Sequence, residues 1–300
     1  MANNKRKNSL IELLRFVFAL NVVKNHGYFP YTGAYFSPGR LSVEFFFVLG
    51  GYLFVKGLER YDELPLHKGL FKMYREKLFG LGAPLFIGLL ANVLRIFILR
   101  PEDAGFWGYL WYVHDMLIVY AVYVVLRKLI KNDKAFWTVV AVVTAVAAVM
   151  RSTYFYSWGY FRAAYAISAG MLMTRIPKIN FKNKLLPWLP VGACLSYSLR
   201  MLLFDYNMVE DVVLNLAVYP ALIYFAFQVD CHIVAFDILG SLSFGMYAYQ
   251  CVARLAFDLA CENKWLLFGL IMGLSALTVL IRRLVYKFKS KRRVLPDNAT

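Results

Sequence analysis

The stretch Ser9-Leu-Ile-Glu-Leu-Leu-Arg15-Phe-Val-Phe-Ala-Leu-Asn-Val-Val-Lys-Asn-His26-Gly-Tyr28 decides how the chain is read. It follows a basic tail carrying Lys5, Arg6 and Lys7, and it is as long as a helix that crosses a bilayer, which needs about 20 mostly apolar residues. A basic tail before an apolar run is also the outline of a signal peptide. This run, however, carries Arg15, Asn21, Lys24, Asn25 and His26, and no small-residue cleavage site follows it. It reads as a first membrane span that is retained.

Outward from this stretch the pattern repeats. Apolar runs lie near 41–58, 79–99, 108–126, 135–151, 160–174, 185–204, 212–229, 238–260 and 265–286. Of the 300 residues 60% are hydrophobic and 17% aromatic, and the mean hydropathy is +0.54. A soluble domain is only about 45–50% apolar. The runs are continuous, whereas a transmembrane barrel needs alternating segments of ~10 residues. The expected fold is all-α: a polytopic membrane protein with about ten transmembrane helices in one bundle. The expected division is a cytoplasmic tail over 1–8, a membrane domain over 9–286 and a basic cytoplasmic tail over 287–300.

The net charge of +16 would suggest nucleic acid in a soluble protein. Here it follows membrane sidedness instead. With the N-terminus in the cytoplasm and spans alternating, 24 of the 34 basic residues fall in the N-terminal tail, three inner loops and the C-terminal tail. Arg40, Arg100, Arg151, Arg162 and Lys264 fall in outer loops, and Arg15, Lys24, Arg95, Arg200 and Arg254 within spans. This is the positive-inside pattern, and it predicts an inner (plasma) membrane protein with both termini in the cytoplasm. One inner loop, near Gln228–Asp237, is neutral to acidic. No internal repeat suggests an inverted-repeat transporter. Cys194, Cys231, Cys251 and Cys261 lie in or beside apolar runs without CxxC spacing and read as small apolar residues. There is no P-loop, GxGxxG or HExxH, and no metal site is expected.

Ionisable groups inside spans are costly and ask for a reason. Arg15 and His26 are eleven residues apart, which places them on one helical face about 16 Å apart along the axis. Snorkelling and end-capping would explain them without function. Glu44 precedes an aromatic run; it either pairs with Arg40 or faces His26 or a polar substrate at the outer mouth. The Gly50-Gly51 pair permits close helix contact or a bend. The inner segment Phe71-Lys-Met-Tyr-Arg75-Glu-Lys-Leu78 is either topological or a site for cofactor phosphates, for which the planar fork of Arg is suited. Trp107, Tyr109, Trp111 and Tyr112 fit an interfacial aromatic belt. His114 and Asp115 are adjacent, and neighbours on a helix do not face each other, so a dyad is not expected although each can line a cavity. Arg254 and Asp258 are four apart and can pair.

Five segments in order resemble the acyltransferase-3 family of membrane acyltransferases. The first is Arg15, ten residues, then His26. The second is Ser42-Val-Glu-Phe-Phe-Phe-Val-Leu-Gly-Gly-Tyr-Leu53, similar to a family segment GVDxFFVLSGFL, with Glu44 in the acidic place. The third is the basic segment Lys72–Lys77 before Pro84, and the fourth Trp111-Tyr112, where the family has Trp-Phe. The fifth is Leu239-Gly-Ser-Leu-Ser-Phe-Gly-Met-Tyr-Ala-Tyr-Gln250, with Gln250 where the family has His. Ser42 and Gly50 also depart from the family pattern. The resemblance covers about residues 8 to 286.

The resemblance implies an O-acyltransferase that moves an acyl group, acetyl by expectation, from cytoplasmic acyl-CoA to a hydroxyl of a cell-surface polysaccharide or glycolipid. His26 is the expected base or transient acyl carrier, because imidazole titrates near working pH. Arg15 contacts CoA or stabilises developing charge. Glu44 orients His26 or binds acceptor hydroxyls. Lys72 and Arg75 hold CoA phosphates, and Trp111, Tyr112 and His114 bind the acceptor. The expected partners are membrane lipid, acyl-CoA as co-substrate, the glycan acceptor and polysaccharide-assembly machinery, with no nucleic acid. The alternative is a non-enzymatic polysaccharide exporter or flippase.

Overall fold

The computed structural model describes residues 8–28, 40–99, 108–153, 159–203, 208–259 and 261–292. Among these, all regular structure is helical. In chain order it comprises α1 (Ser9–Asn25), α2 (Arg40–Asp62), α3 (Leu66–Leu99), a 3₁₀ turn at Gly108–Leu110, α4 (Trp111–Leu129), α5 (Asp133–Thr153), α6 (Gly159–Met173) and α7 (Trp188–Leu203). Then follow α8 (Met208–Val213), a π-helical turn at Leu214–Val218, α9 (Tyr219–Ala226), α10 (Val234–Ala248), α11 (Gln250–Asp258) and α12 (Lys264–Arg292). Five stretches are long and apolar enough to cross a membrane: 41–62, 66–99, 133–151, 209–226 and 264–285. Val234–Ala248 is a shorter apolar helix.

The apolar side chains face both ways. Phe86, Phe97, Val146, Val149, Leu189, Leu266, Leu277 and Ile281 are exposed along α3, α5, α7 and α12. A row of that kind marks a surface that meets lipid rather than water. The centre is formed by the first half of α2 and by α6, most of whose residues are buried. Their crossing is close because of two glycines. A Cβ on Gly51 would land on the carbonyl of Ile167, and one on Gly170 on the carbonyl of Val48. The close contact expected of the Gly50-Gly51 pair is therefore the use made of Gly51.

Local sequence sets the breaks. Asn8 caps α1, accepting from the Ile11 N–H at 3.1 Å and donating to the carbonyls of Ala226 and Val229, each at 2.9 Å. The helix ends at His26, with Gly27 in the left-handed region at φ 79°. α3 is two helical pieces. Gly82 between them has φ 59° and Pro84 opens the second, and Arg282 of α12 donates to the Leu81 carbonyl at 2.9 Å. Asp62, at the end of α2, pairs with Lys128 at 3.4 Å and Lys131 at 3.1 Å, and Asp133, which opens α5, with Arg175 at 3.0 Å. Basic residues near these helix ends thus tie the ends together.

Candidate active site

Helix α1 carries Arg15, and His26 is the C-cap that ends it. Both carboxylate oxygens of Glu12 accept from Arg15 Nη1, at 3.0 and 2.8 Å. Glu12 itself is buried, and the charge of Arg15 reaches the Tyr112 hydroxyl on α4. At the other end, His26 lies within electrostatic reach of Arg254 on α11. The packing agrees, since Ala253 shares a small core with Ala19, Val23 and Tyr28 around the end of α1. Arg254 is held at 3.1 Å by Asp258, the pairing expected from their spacing. Asp258 also takes Arg95 of α3 at 2.5 Å, so His26 sits beside a chain of three charged groups.

Glu44 belongs to a different cluster. It is fully buried, accepts from Asn215 Nδ2 at 2.7 Å and lies 3.5 Å from Arg162 Nε. Asn215 also bonds the Asp211 carbonyl at 2.9 Å, and Asp211 pairs with Arg151 at 3.3 Å. The side chain of Arg40, its alternative partner by sequence, lies outside the described residues. The network corrects two assignments. Arg151 and Arg162, counted by sequence among the outer loops, are on α5 and α6, with only 0% and 8% of their surface exposed. A charge at the edge of an apolar run reads as a loop residue, whereas in the fold each of these finds a buried carboxylate. Asn215 sits in the π-helical turn, a feature that recurs at functional sites. The orphaned buried atoms here include the Tyr165 hydroxyl.

Trp111 and Tyr112 point into different surroundings. The Arg162 guanidinium lies 4.4 Å from the Trp111 ring centroid. Tyr112 packs on Phe47 at 4.6 Å and on Tyr247 at 5.5 Å. His114 Nδ1 meets Asp115 Oδ1 at 3.1 Å, a contact not expected of helical neighbours. Nδ1 is close enough to the backbone to reach the next carboxylate although the two side chains diverge. His114 also packs against the Tyr160 ring at 5.8 Å. Trp107, the other aromatic of the expected belt, lies outside the described residues, as does the side chain of Tyr109.

Lys72 and Arg75 come together. With Leu64, His67, Lys68 and Phe71 they line an open groove of about 570 Å³ on the first piece of α3. Lys68, Lys72 and Arg75 recur at helical spacing, so one face of that helix presents three cations. Among the described residues no group of three or more His, Cys, Asp or Glu is arranged to hold a metal.

A family profile described as an acyltransferase domain, acyltransferase-3, matches residues 8–282. The chain belongs to the acyltransferase-3 family. No curated protein and no solved structure matches it at a significant level. Membership makes the protein an acyltransferase, and the exposed apolar helices make it a membrane one. An acyltransferase needs an acyl donor, an acceptor nucleophile and a group that moves the acceptor's proton. Sequence reasoning overlooked Glu12, Asp211 and Asn215, and gave Arg95 no partner. Their only linear signal is a polar residue within a largely apolar run, and their partners are 60 to 171 residues away in three of the four cases.

Proposed function

We propose that this protein is an O-acyltransferase that takes an acetyl group from cytoplasmic acetyl-CoA and esterifies a hydroxyl of a cell-surface polysaccharide or glycolipid. The observation that carries this reading is the groove in which Lys68, Lys72 and Arg75 share one face with His67. Three cations at that spacing suit the phosphates of CoA. The same reading takes the chain across the inner (plasma) membrane ten times. α8, the π-turn and α9 form one span and α10 with α11 another, and both termini are cytoplasmic. The inner loops then hold the groove, and His26 lies toward the outer side.

In this mechanism His26 accepts the proton of the acceptor hydroxyl as the oxygen attacks the thioester carbon. The C–S bond breaks, the ester C–O bond forms, and the proton passes from the imidazole to the CoA thiolate. Arg15, on the same helix and nearer the cytoplasm, faces the developing oxyanion or the arm of CoA. Trp111 and Tyr112 offer aromatic faces for sugar rings, and His114 a polar edge beside them. Glu44 acts through its ion network to hold α2 against α6 and the π-helical turn. A two-step route through acyl-His26 uses the same residues, and a trapped acyl-imidazole would distinguish it.

The test is transfer from radiolabelled acetyl-CoA to cell-envelope glycan by the purified protein in nanodiscs. Label in alkali-labile ester is expected with the wild-type chain and not with folded His26→Ala. A wild-type protein that binds CoA but esterifies no glycan would overturn the acceptor assignment.

A further inference from the structure

α1 and α10 lie side by side with matched register. The Ser9 hydroxyl donates to Asp237 Oδ1 at 2.8 Å and accepts from the Ile233 N–H at 2.9 Å. Three residues further along both helices, Glu12 meets Gly240. A Cβ at Gly240 would collide with the Glu12 carboxylate and would lie 2.6 Å from the Glu12 backbone carbonyl. The gap left by that glycine is where the Glu12 side chain rests. From there Glu12 grips Arg15 by a single nitrogen, Nη1, with both of its oxygens. Nε and Nη2 of Arg15 are outside that grip. A guanidinium has five donors in a rigid plane, so holding one corner sets the direction of the others.

We propose that Glu12 is a positioning residue for acyl transfer: seated against Gly240, it holds one corner of Arg15 so that the remaining donors face the acyl donor. The proposal rests on the reading of CoA as that donor. It also gives the late segment Leu239-Gly-Ser-Leu a part in the reaction, since its glycine makes room for the group that aims Arg15. Arg15→Lys would put on Glu12 a rotating ammonium whose remaining N–H donors have no fixed direction.

A double-mutant cycle on full-length protein in nanodiscs tests it, with Kd for CoA and kcat/KM for acetyl-CoA as readouts. Glu12→Gln keeps the shape and removes the charge. It is expected to weaken both readouts about tenfold in the wild-type background and to have no effect in Arg15→Gln, because interacting residues are not additive. Glu12→Asp should recover part of the loss, Gly240→Ala should mimic Glu12→Gln, and Arg15→Lys should match Arg15→Gln. KM for the glycan should stay unchanged throughout. If Glu12→Gln costs the same in both backgrounds, Glu12 serves helix packing alone and the proposal falls while the CoA reading stands. If the wild-type protein neither binds CoA nor transfers acetyl from it, both fall together.

Discussion

Arg151 and Asp211 show what a buried charge asks of its surroundings. They meet at 3.3 Å with almost no exposed surface. Removing one partner leaves the other uncompensated, at a cost of about 3–5 kcal/mol, whereas replacing both by apolar residues costs much less. Asp211→Leu should therefore lower the thermal midpoint in detergent markedly, and Arg151→Met with Asp211→Leu should recover most of it. A double variant no better than the single would show that the rest of the cluster, Glu44 and Arg162, depends on that charge pair. His26 differs in kind, since its proposed task is chemical. His26→Gln should reduce acetyl transfer by about 10²–10⁴-fold, the usual contribution of a general base, with Kd for CoA unchanged. Titration of labelled CoA against the variant checks the second half. A parallel loss of CoA binding would make His26 a binding residue.

At the scale of elements, helix contact is decided by where backbones approach. At Gly51 the obstacle to a side chain is a backbone carbonyl on α6, which has no rotamer to move away. Gly51→Ala should destabilise the protein by about 1–3 kcal/mol, the range for overpacking. Gly80, on the first piece of α3, has nothing within 4 Å of its missing Cβ. Gly80→Ala should be neutral or raise stability by up to ~1 kcal/mol through helix propensity. Thermal unfolding of the two variants side by side is the check, and equal effects would contradict the close α2–α6 crossing. The broken rod of α3 has its own logic. Gly82 and Pro84 end one helical piece and start another, so the cationic groove runs along a piece whose direction is independent of the apolar piece that follows.

For the whole molecule, the arrangement of charge predicts sidedness. With ten crossings Glu262, before α12, is outside, and Asn183, between α6 and α7, is inside; both are exposed. In a chain whose four cysteines are replaced, Glu262→Cys should react with an impermeant maleimide on intact cells. Asn183→Cys should react only after the membrane is opened. Labelling of both from outside would refute the alternation on which the cytoplasmic placement of Lys72 and Arg75 depends.

Apolar run length and the bias of basic residues were enough, without coordinates, to read a helical membrane protein, because both follow from the thickness and electrostatics of the bilayer rather than from contacts. The spacing of Arg15 and His26 was legible for a similar reason: both lie on one helix, and helix geometry is local. The partner of each charge was not legible. Glu44 meets Asn215 across 171 positions and Arg95 meets Asp258 across 163, pairings that exist only once helices distant in sequence lie side by side. The burial of Arg151 and Arg162 was hidden for the same reason, since hydropathy registers the charge and not the carboxylate that neutralises it. Sequence alone determined that the chain is a helical membrane protein and that Arg15 and His26 fall on one stretch of it. Tertiary packing decided which polar groups meet, because in a medium without water a charge settles where another helix brings it a partner.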